Sequence, residues 1–251
     1  MYARSPVGST RVLSFGNDLG REGRMFKQRD AVGDGNLASV VISRYPGRKK
    51  EPEPVIQEPV ETQLYLTAPA FDALDEGVLS AVLAEGVACL LADVSQFVEA
   101  HANPLERMIA AADAAGCPLV VGGDDATALD LAKRFALDGV HLIGGPKQIE
   151  WARKQIGTDS IVGYGAGVSR HDAMIAAEGG ADYVMLGPVA ELDSELLEWL
   201  QAVIETPLVI DCVSDDPQSV AGIADFALVS SGVFDGDAVA AVRGIRAGLS
   251  A

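Results

Sequence analysis

The stretch from Leu137 to Val189 constrains the fold more than any other part of the chain. It holds three short apolar runs: Gly139-Val140-His141-Leu142-Ile143, Ser160-Ile161-Val162-Gly163-Tyr164 and Tyr183-Val184-Met185-Leu186. Each is about as long as one buried strand. Two amphipathic segments of helical length separate them, from Pro146 to Ile156 and from Val168 to Glu178. Pro146 suits a first helical turn, where its missing N–H would have no partner, and Gly179-Gly180 is a helix stop. Strand, helix, strand, helix, strand in this order requires parallel pairing with crossover helices.

The alternation extends in both directions. Upstream, strands are expected at Leu64–Thr67, Val87–Ala92 and Pro118–Val121, with helices at Asp72–Ala84, Pro104–Ala115 and Asp125–Phe135. Downstream, strands are expected at Leu208–Ile210 and Phe226–Val229, with helices at Glu195–Ile204 and Ala238–Ala247 and a short one within Pro217–Gly222. The total is eight strands and eight helices within residues 61–251, which predicts an α/β fold of the (β/α)₈ TIM-barrel type. An open doubly wound sheet is the alternative, because one misread apolar run would leave seven strands.

Residues 1–60 differ from the rest. Gly, Arg, Asp and Ser break any period, and Arg48-Lys49-Lys50 runs into Glu51-Pro52-Glu53-Pro54. Such sequence buries too little apolar surface to offset its ordering entropy, so a disordered tail and linker are expected. Residues 1–50 carry ten Lys or Arg against four Asp or Glu; with −17 overall, the remainder carries −23. That balance argues against nucleic acid or an anionic membrane as partner of the barrel. The chain has no uninterrupted apolar run long enough to span a bilayer. Cys89, Cys117 and Cys212 lie in or beside expected strands without metal-ligand spacing, which fits a reducing, cytoplasmic location.

Barrel enzymes work at the C-terminal ends of their strands. The polar residues expected there are Asp93, Asp124, Asp125, His141, Tyr164, Asp211, Ser230 and Ser231. Asp125 reads most simply as a helix N-cap. His141, in a buried strand, reads more readily as a satisfied core histidine than as a catalyst. Asp93 and Asp211 have fewer local capping roles, which leaves function and structure evenly matched. Ser230-Ser231-Gly232 follows the eighth strand, where barrels often bind phosphate through backbone N–H groups.

Two motifs then carry a resemblance. Asp138-Gly139-Val140-His141-Leu142, and Gly180-Ala181-Asp182-Tyr183-Val184 with Gly187-Pro188-Val189, resemble the thiamine-phosphate synthase and thiazole tautomerase family. The likeness extends to Leu64–Thr67, Cys117–Val121 and Leu228–Ser231 and covers roughly residues 63–248. It implies a barrel that joins a pyrimidine methyl pyrophosphate to a thiazole phosphate and releases pyrophosphate, with Mg²⁺ as cofactor and a small phosphorylated molecule as partner. By resemblance, Gly187, Ser230 and His141 would contact substrate or phosphate and Asp124 would be a metal candidate; Ser231 joins the phosphate candidates, and Asp93 the metal candidates, from their places at strand ends. The sequence also departs from the family pattern. Leu91-Ala92-Asp93-Val94-Ser95 stands where a Gln, Arg and Lys cluster is usual, and Ala190-Glu191-Leu192-Asp193 where a Thr-rich loop ending in Lys is usual. Ile143-Gly144-Gly145-Pro146 lacks the family's second metal carboxylate. Impaired or altered synthase activity is therefore expected. The alternatives are a non-catalytic barrel binding a phosphate ligand or protein partner, and an enzyme of altered chemistry holding a cation on Asp93, Asp124 and Asp211.

Overall fold

The computed structural model describes residues 60–212 and 216–250. Except for Val60, the expected tail and linker lie outside the described residues. Eight strands form a closed parallel barrel in sequence order. They are β1 (Gln63–Thr67), β2 (Cys89–Asp93), β3 (Leu119–Gly122), β4 (Gly139–Leu142), β5 (Ile161–Gly167), β6 (Tyr183–Leu186), β7 (Leu208–Asp211) and β8 (Phe226–Val229). The α-helices among the described residues are α1 (Glu76–Leu83), α2 (Ala102–Ala115), α3 (Asp125–Phe135), α4 (Gln148–Ile156), α5 (Arg170–Glu178), α6 (Ser194–Val203) and α7 (Ala238–Leu249). The barrel closes where β1 pairs with β8, placing Gln63 opposite Phe226 and Leu66 opposite Val229.

The expected helix within Pro217–Gly222 is one 3₁₀ turn, Pro217–Val220. Asp216 caps its first turn, and four residues are too few for a second turn of α-helix. The first helix starts at Glu76 rather than Asp72, because Asp75 caps it by accepting from Val78 N at 3.0 Å. Asp124, Ser169, Asp193 and Asp237 cap α3, α5, α6 and α7 in the same way. Part of the acidic excess is thus capping chemistry.

Strand residues alternate between two cores. Leu64, Leu66, Leu90, Val121, Val140 and Leu186 face outward and pack with helix residues such as Leu79, Met108, Ile149 and Leu200. Tyr65, Cys89, Val120, Ile161, Tyr183, Val209 and Phe226 are buried but belong to the other parity, which fills the barrel itself. Large and small side chains must complement each other there. Gly163 lies opposite Tyr183 in register, and a Cβ on it would overlap the Tyr183 ring. Gly139 likewise lies against the Ile161 carbonyl, where no Cβ would fit.

At the N-terminal rim three aspartates repeat one device. Asp138, before β4, accepts from Leu119 N at the start of β3 at 2.8 Å. Asp182, before β6, accepts from Val162 N of β5 at 2.7 Å. Asp225, before β8, accepts from Leu208 N at the start of β7 at 2.8 Å. Each staples a strand to its predecessor by satisfying an N–H that the ladder leaves over. Arg153 adds to the second staple through Asp182 Oδ2 at 2.6 Å and the carbonyls of Ser160 and Gly180. Burial pushes the Asp182 carboxyl up, against the opposing pull of Arg153 and the Val162 N–H.

Candidate active site

At the opposite rim a cavity of about 350 Å³ opens over the C-terminal ends of β1 to β4. Thr67, Leu91, Asp93 and Ser95 line one side, and Gly122, Gly123, His141 and Ile143 the other. The register explains the grouping. Asp93 is opposite Gly122, and Gly122 is opposite His141, so the two polar groups face each other across a position with no side chain. Two strand spacings separate them, roughly 10 Å between backbones.

Asp93 is exposed and its Oδ1 accepts from Ser95 N at 2.8 Å, a local turn that fixes the carboxylate at the rim. Gly123 lets the next loop pass close by. It has φ +110°, and a Cβ on it would overlap Asp93 Oδ1. Asp124 is turned away from the cavity to cap α3, accepting from Thr127 N at 2.8 Å, and that bond holds its carboxyl below the usual range. The expectation that Asp125 is the cap is corrected: Asp125 is the first helical residue, and its two oxygens accept from Ile143 N and Gly144 N, each at 2.9 Å. It therefore ties the loop after β4 to the start of α3.

His141 is 5% exposed, on the inward parity of β4. Its Nδ1 lies 3.0 Å from the Tyr183 hydroxyl, which in turn lies 2.9 Å from the Tyr65 hydroxyl. Burial lowers the His141 pKa to about 4, so the imidazole is neutral at pH 7. Burial also pushes both phenols well above their ordinary range. One ring nitrogen of His141 is satisfied in the core, and the ring also borders the cavity.

The remaining expected residues, Tyr164 apart, are elsewhere on this rim. Gly187, at φ +146°, passes close to Asp211; a Cβ on it would stand 2.5 Å from Asp211 Cβ. The Gly187–Pro188 peptide is cis. Ser230 caps the 3₁₀ turn Ser231–Asp235 by accepting from Gly232 N at 3.1 Å, which occupies one N–H of the expected phosphate loop. Gly187, Ser230 and Ser231 do not border the cavity that His141 and Asp93 share. Tyr164 is inside β5 and faces the outer core, not the rim. Its phenol is raised, chiefly by burial.

Among the described residues no Lys or Arg lines the cavity. Arg153 belongs to the N-terminal rim, bound to Asp182. Arg170 approaches Glu195 at 3.7 Å and its guanidinium lies 5.4 Å from the Trp199 ring centroid. Among the described residues the donors do not build a resident Mg²⁺ site. Asp93 and Asp124 each have an oxygen committed to a backbone N–H, and no group of three His, Cys, Asp or Glu among the described residues is placed to hold a metal.

Sequence reasoning missed Tyr65, Tyr183, Thr67 and Ser95. The signal for Tyr183 was its parity with Gly163 across β5 and β6, readable once the register is known.

The chain has clear relatives. The sequence profile of the family described as thiamine monophosphate synthase matches residues 66–209. The thiamine-phosphate synthase of Erythrobacter litoralis (strain HTCC2594) is 37% identical over 222 residues, 76% of this chain and 97% of that one. That of Rhodospirillum centenum (strain ATCC 51521 / SW) is 36% identical over 194 residues, 70% of this chain and 90% of that one. Among solved structures, an open form of tryptophan synthase from M. tuberculosis superposes with a TM-score of 0.57 at 16% identity, covering 75% of this chain and 93% of that one, which bears on the fold alone. With a closed eightfold barrel, both central motifs in place and a relative matched over nearly its whole length, the chain belongs to the thiamine monophosphate synthase family.

Proposed function

We propose that the chain is a thiamine-phosphate-synthase-type transferase whose pyrophosphate chemistry is weakened. In that reaction a carbon–nitrogen bond forms between the thiazole nitrogen and the pyrimidine methylene. The carbon–oxygen bond to pyrophosphate breaks, and the leaving group departs with the electron pair. The cavity over β1 to β4 supports a site for one small heterocycle, with Asp93 and neutral His141 as its polar contacts. The observation that carries the weakening is the lining itself, which has a carboxylate and no cation among the described residues. A leaving group that gains negative charge needs donors or cations where that charge develops. One carboxylate about 4 Å away in a partly exposed site would instead oppose it by roughly 4 kcal/mol, about three decades in rate.

Turnover of a pyrimidine methyl pyrophosphate with a thiazole phosphate, with and without Mg²⁺, tests this. Thiamine phosphate should form about a thousandfold more slowly than with the Erythrobacter relative. Equal rates would overturn the weakening. The same unbalanced lining favours a second reading, a non-catalytic barrel for a phosphorylated ligand. Calorimetric binding of thiamine phosphate without any turnover would select it. Three buried thiols unlinked by disulfides support a cytoplasmic location, and no helix among the described residues is long and apolar enough to cross a membrane.

A further inference from the structure

The hydrogen-bonded chain beneath the cavity has a direction. Tyr65, Tyr183 and His141 are joined by contacts of 2.9 and 3.0 Å inside the barrel, and all three are buried. The Tyr183 and His141 rings are nearly parallel, 7° apart with centroids 5.7 Å apart, and the phenol oxygen lies within hydrogen-bond distance of Nδ1. Gly163 leaves the room that the Tyr183 ring fills, and Gly165 lies beside His141 Nε2, which is 3.0 Å from where a Cβ would stand. Among the described residues Nε2 has no hydrogen-bond partner. No buried side-chain nitrogen or oxygen among them lacks one, so this atom opens to the cavity.

Two proton orders could run through the chain. In one, Tyr65 donates to Tyr183, Tyr183 donates to Nδ1, and Nε2 carries the proton. In the other every bond is reversed, Nε2 is bare, and Tyr65 must donate to the thiol of Cys89, its neighbour in register. The first gives each phenol, the more acidic donor, an oxygen or an imidazole nitrogen as acceptor. The second ends on sulfur, a weak acceptor. The bonds of a chain polarise one another, so one weak terminal link disfavours the whole reversed order.

We propose that Tyr183, backed by Tyr65, is a positioning residue that fixes His141 in the tautomer presenting Nε2–H to the cavity. On the functional reading above, on which this part rests, that N–H donates to a neutral acceptor such as a ring nitrogen of the bound heterocycle. Asp93, across Gly122, disfavours an oxyanion in the same place.

The test is long-range ¹H–¹⁵N correlation on the full chain labelled at its three histidines, with His141→Gln assigning the signals. At pH 7 the unliganded protein should show one histidine with a protonated Nε2 and a bare Nδ1. Tyr183→Phe should shift that residue toward a mixture of tautomers, and Tyr65→Phe should do so less. A protonated Nδ1, a charged ring, or a tautomer unmoved by Tyr183→Phe would overturn the proposal. The wild-type spectrum decides the tautomer even if a variant fails to fold. Thiamine phosphate should then move the Nε2 signal, inorganic phosphate should not, and Tyr183→Phe should weaken thiamine phosphate binding roughly threefold to tenfold. The expected tautomer without a response to thiamine phosphate would support the relay and overturn only the ligand reading.

Discussion

Gly163→Ala separates a barrel filled by shape from one filled by hydrophobicity alone. The added methyl would overlap the Tyr183 ring, far inside the 3.0 Å that real Cβ atoms keep from their neighbours. The ring cannot yield locally, because Phe226 and Tyr65 pack in the same interior and Tyr65 meets Tyr183 edge to face at 5.7 Å. Overpacking of this kind costs about 1–3 kcal/mol. Displacing the ring also breaks the bonds to Tyr65 and His141, about 0.5–1.5 kcal/mol each. The expected loss is about 3 kcal/mol, a fall in Tm of roughly 6–12 °C for a domain of this size. Urea unfolding of the full chain measures it. The decisive comparison is Gly163→Ala in a Tyr183→Leu background, where the methyl enters space already vacated. The substitution should there cost less than about 0.5 kcal/mol, a coupling of about 2 kcal/mol or more. Additive losses in the two backgrounds would show that the glycine is not there for the tyrosine.

Three further outcomes follow from the same geometry. His141 is held neutral when folded, with its pKa lowered to about 4 by burial. Between that value and the unfolded 6.5 the unfolded chain binds more protons, so stability should be intact above pH 6.5 and fall by about 3 kcal/mol as pH drops to 4. Asp93 and Tyr183 are the titratable groups facing the ring, and His141→Gln should flatten this part of the pH profile; an unchanged slope would refute the assignment. Asp138→Ala orphans Leu119 N–H and should cost about 1–3 kcal/mol in urea unfolding while leaving thiamine phosphate affinity unchanged. Gly123→Ala forces a side chain to φ +110° and onto Asp93, so it should lose about 1–3 kcal/mol and, unlike Asp138→Ala, also alter ligand binding.

The fold was legible because each strand is a compact apolar run with a glycine, proline or aspartate at its borders. The exceptions have physical causes. β5 continues to Gly167 through Gly165-Ala166, which carry too little hydrophobicity to read as strand. The adjacent Asp124 and Asp125 are equivalent as letters. Only backbone geometry decides that the first caps its own helix and the second holds the loop after β4. The site was legible as a set of strand ends and not as a cavity. Asp93 and His141 were named for separate reasons, and what joins them is a pairing register with glycine between them. Tyr65 and Tyr183 escaped because a run such as Tyr183-Val184-Met185-Leu186 does not reveal which parity points inward until the sheet is closed.

The aspartate staples at the N-terminal rim bear on how such chains are recognised. Asp138 and Asp182 are letters of the two motifs by which the family is known, yet both sit at the end of the barrel remote from the cavity. A lineage could exchange every cation at the mouth and still keep these letters, because losing them would loosen the sheet. Kinship read from such signatures is therefore an inheritance of architecture, and two chains that share it can differ completely in what they turn over.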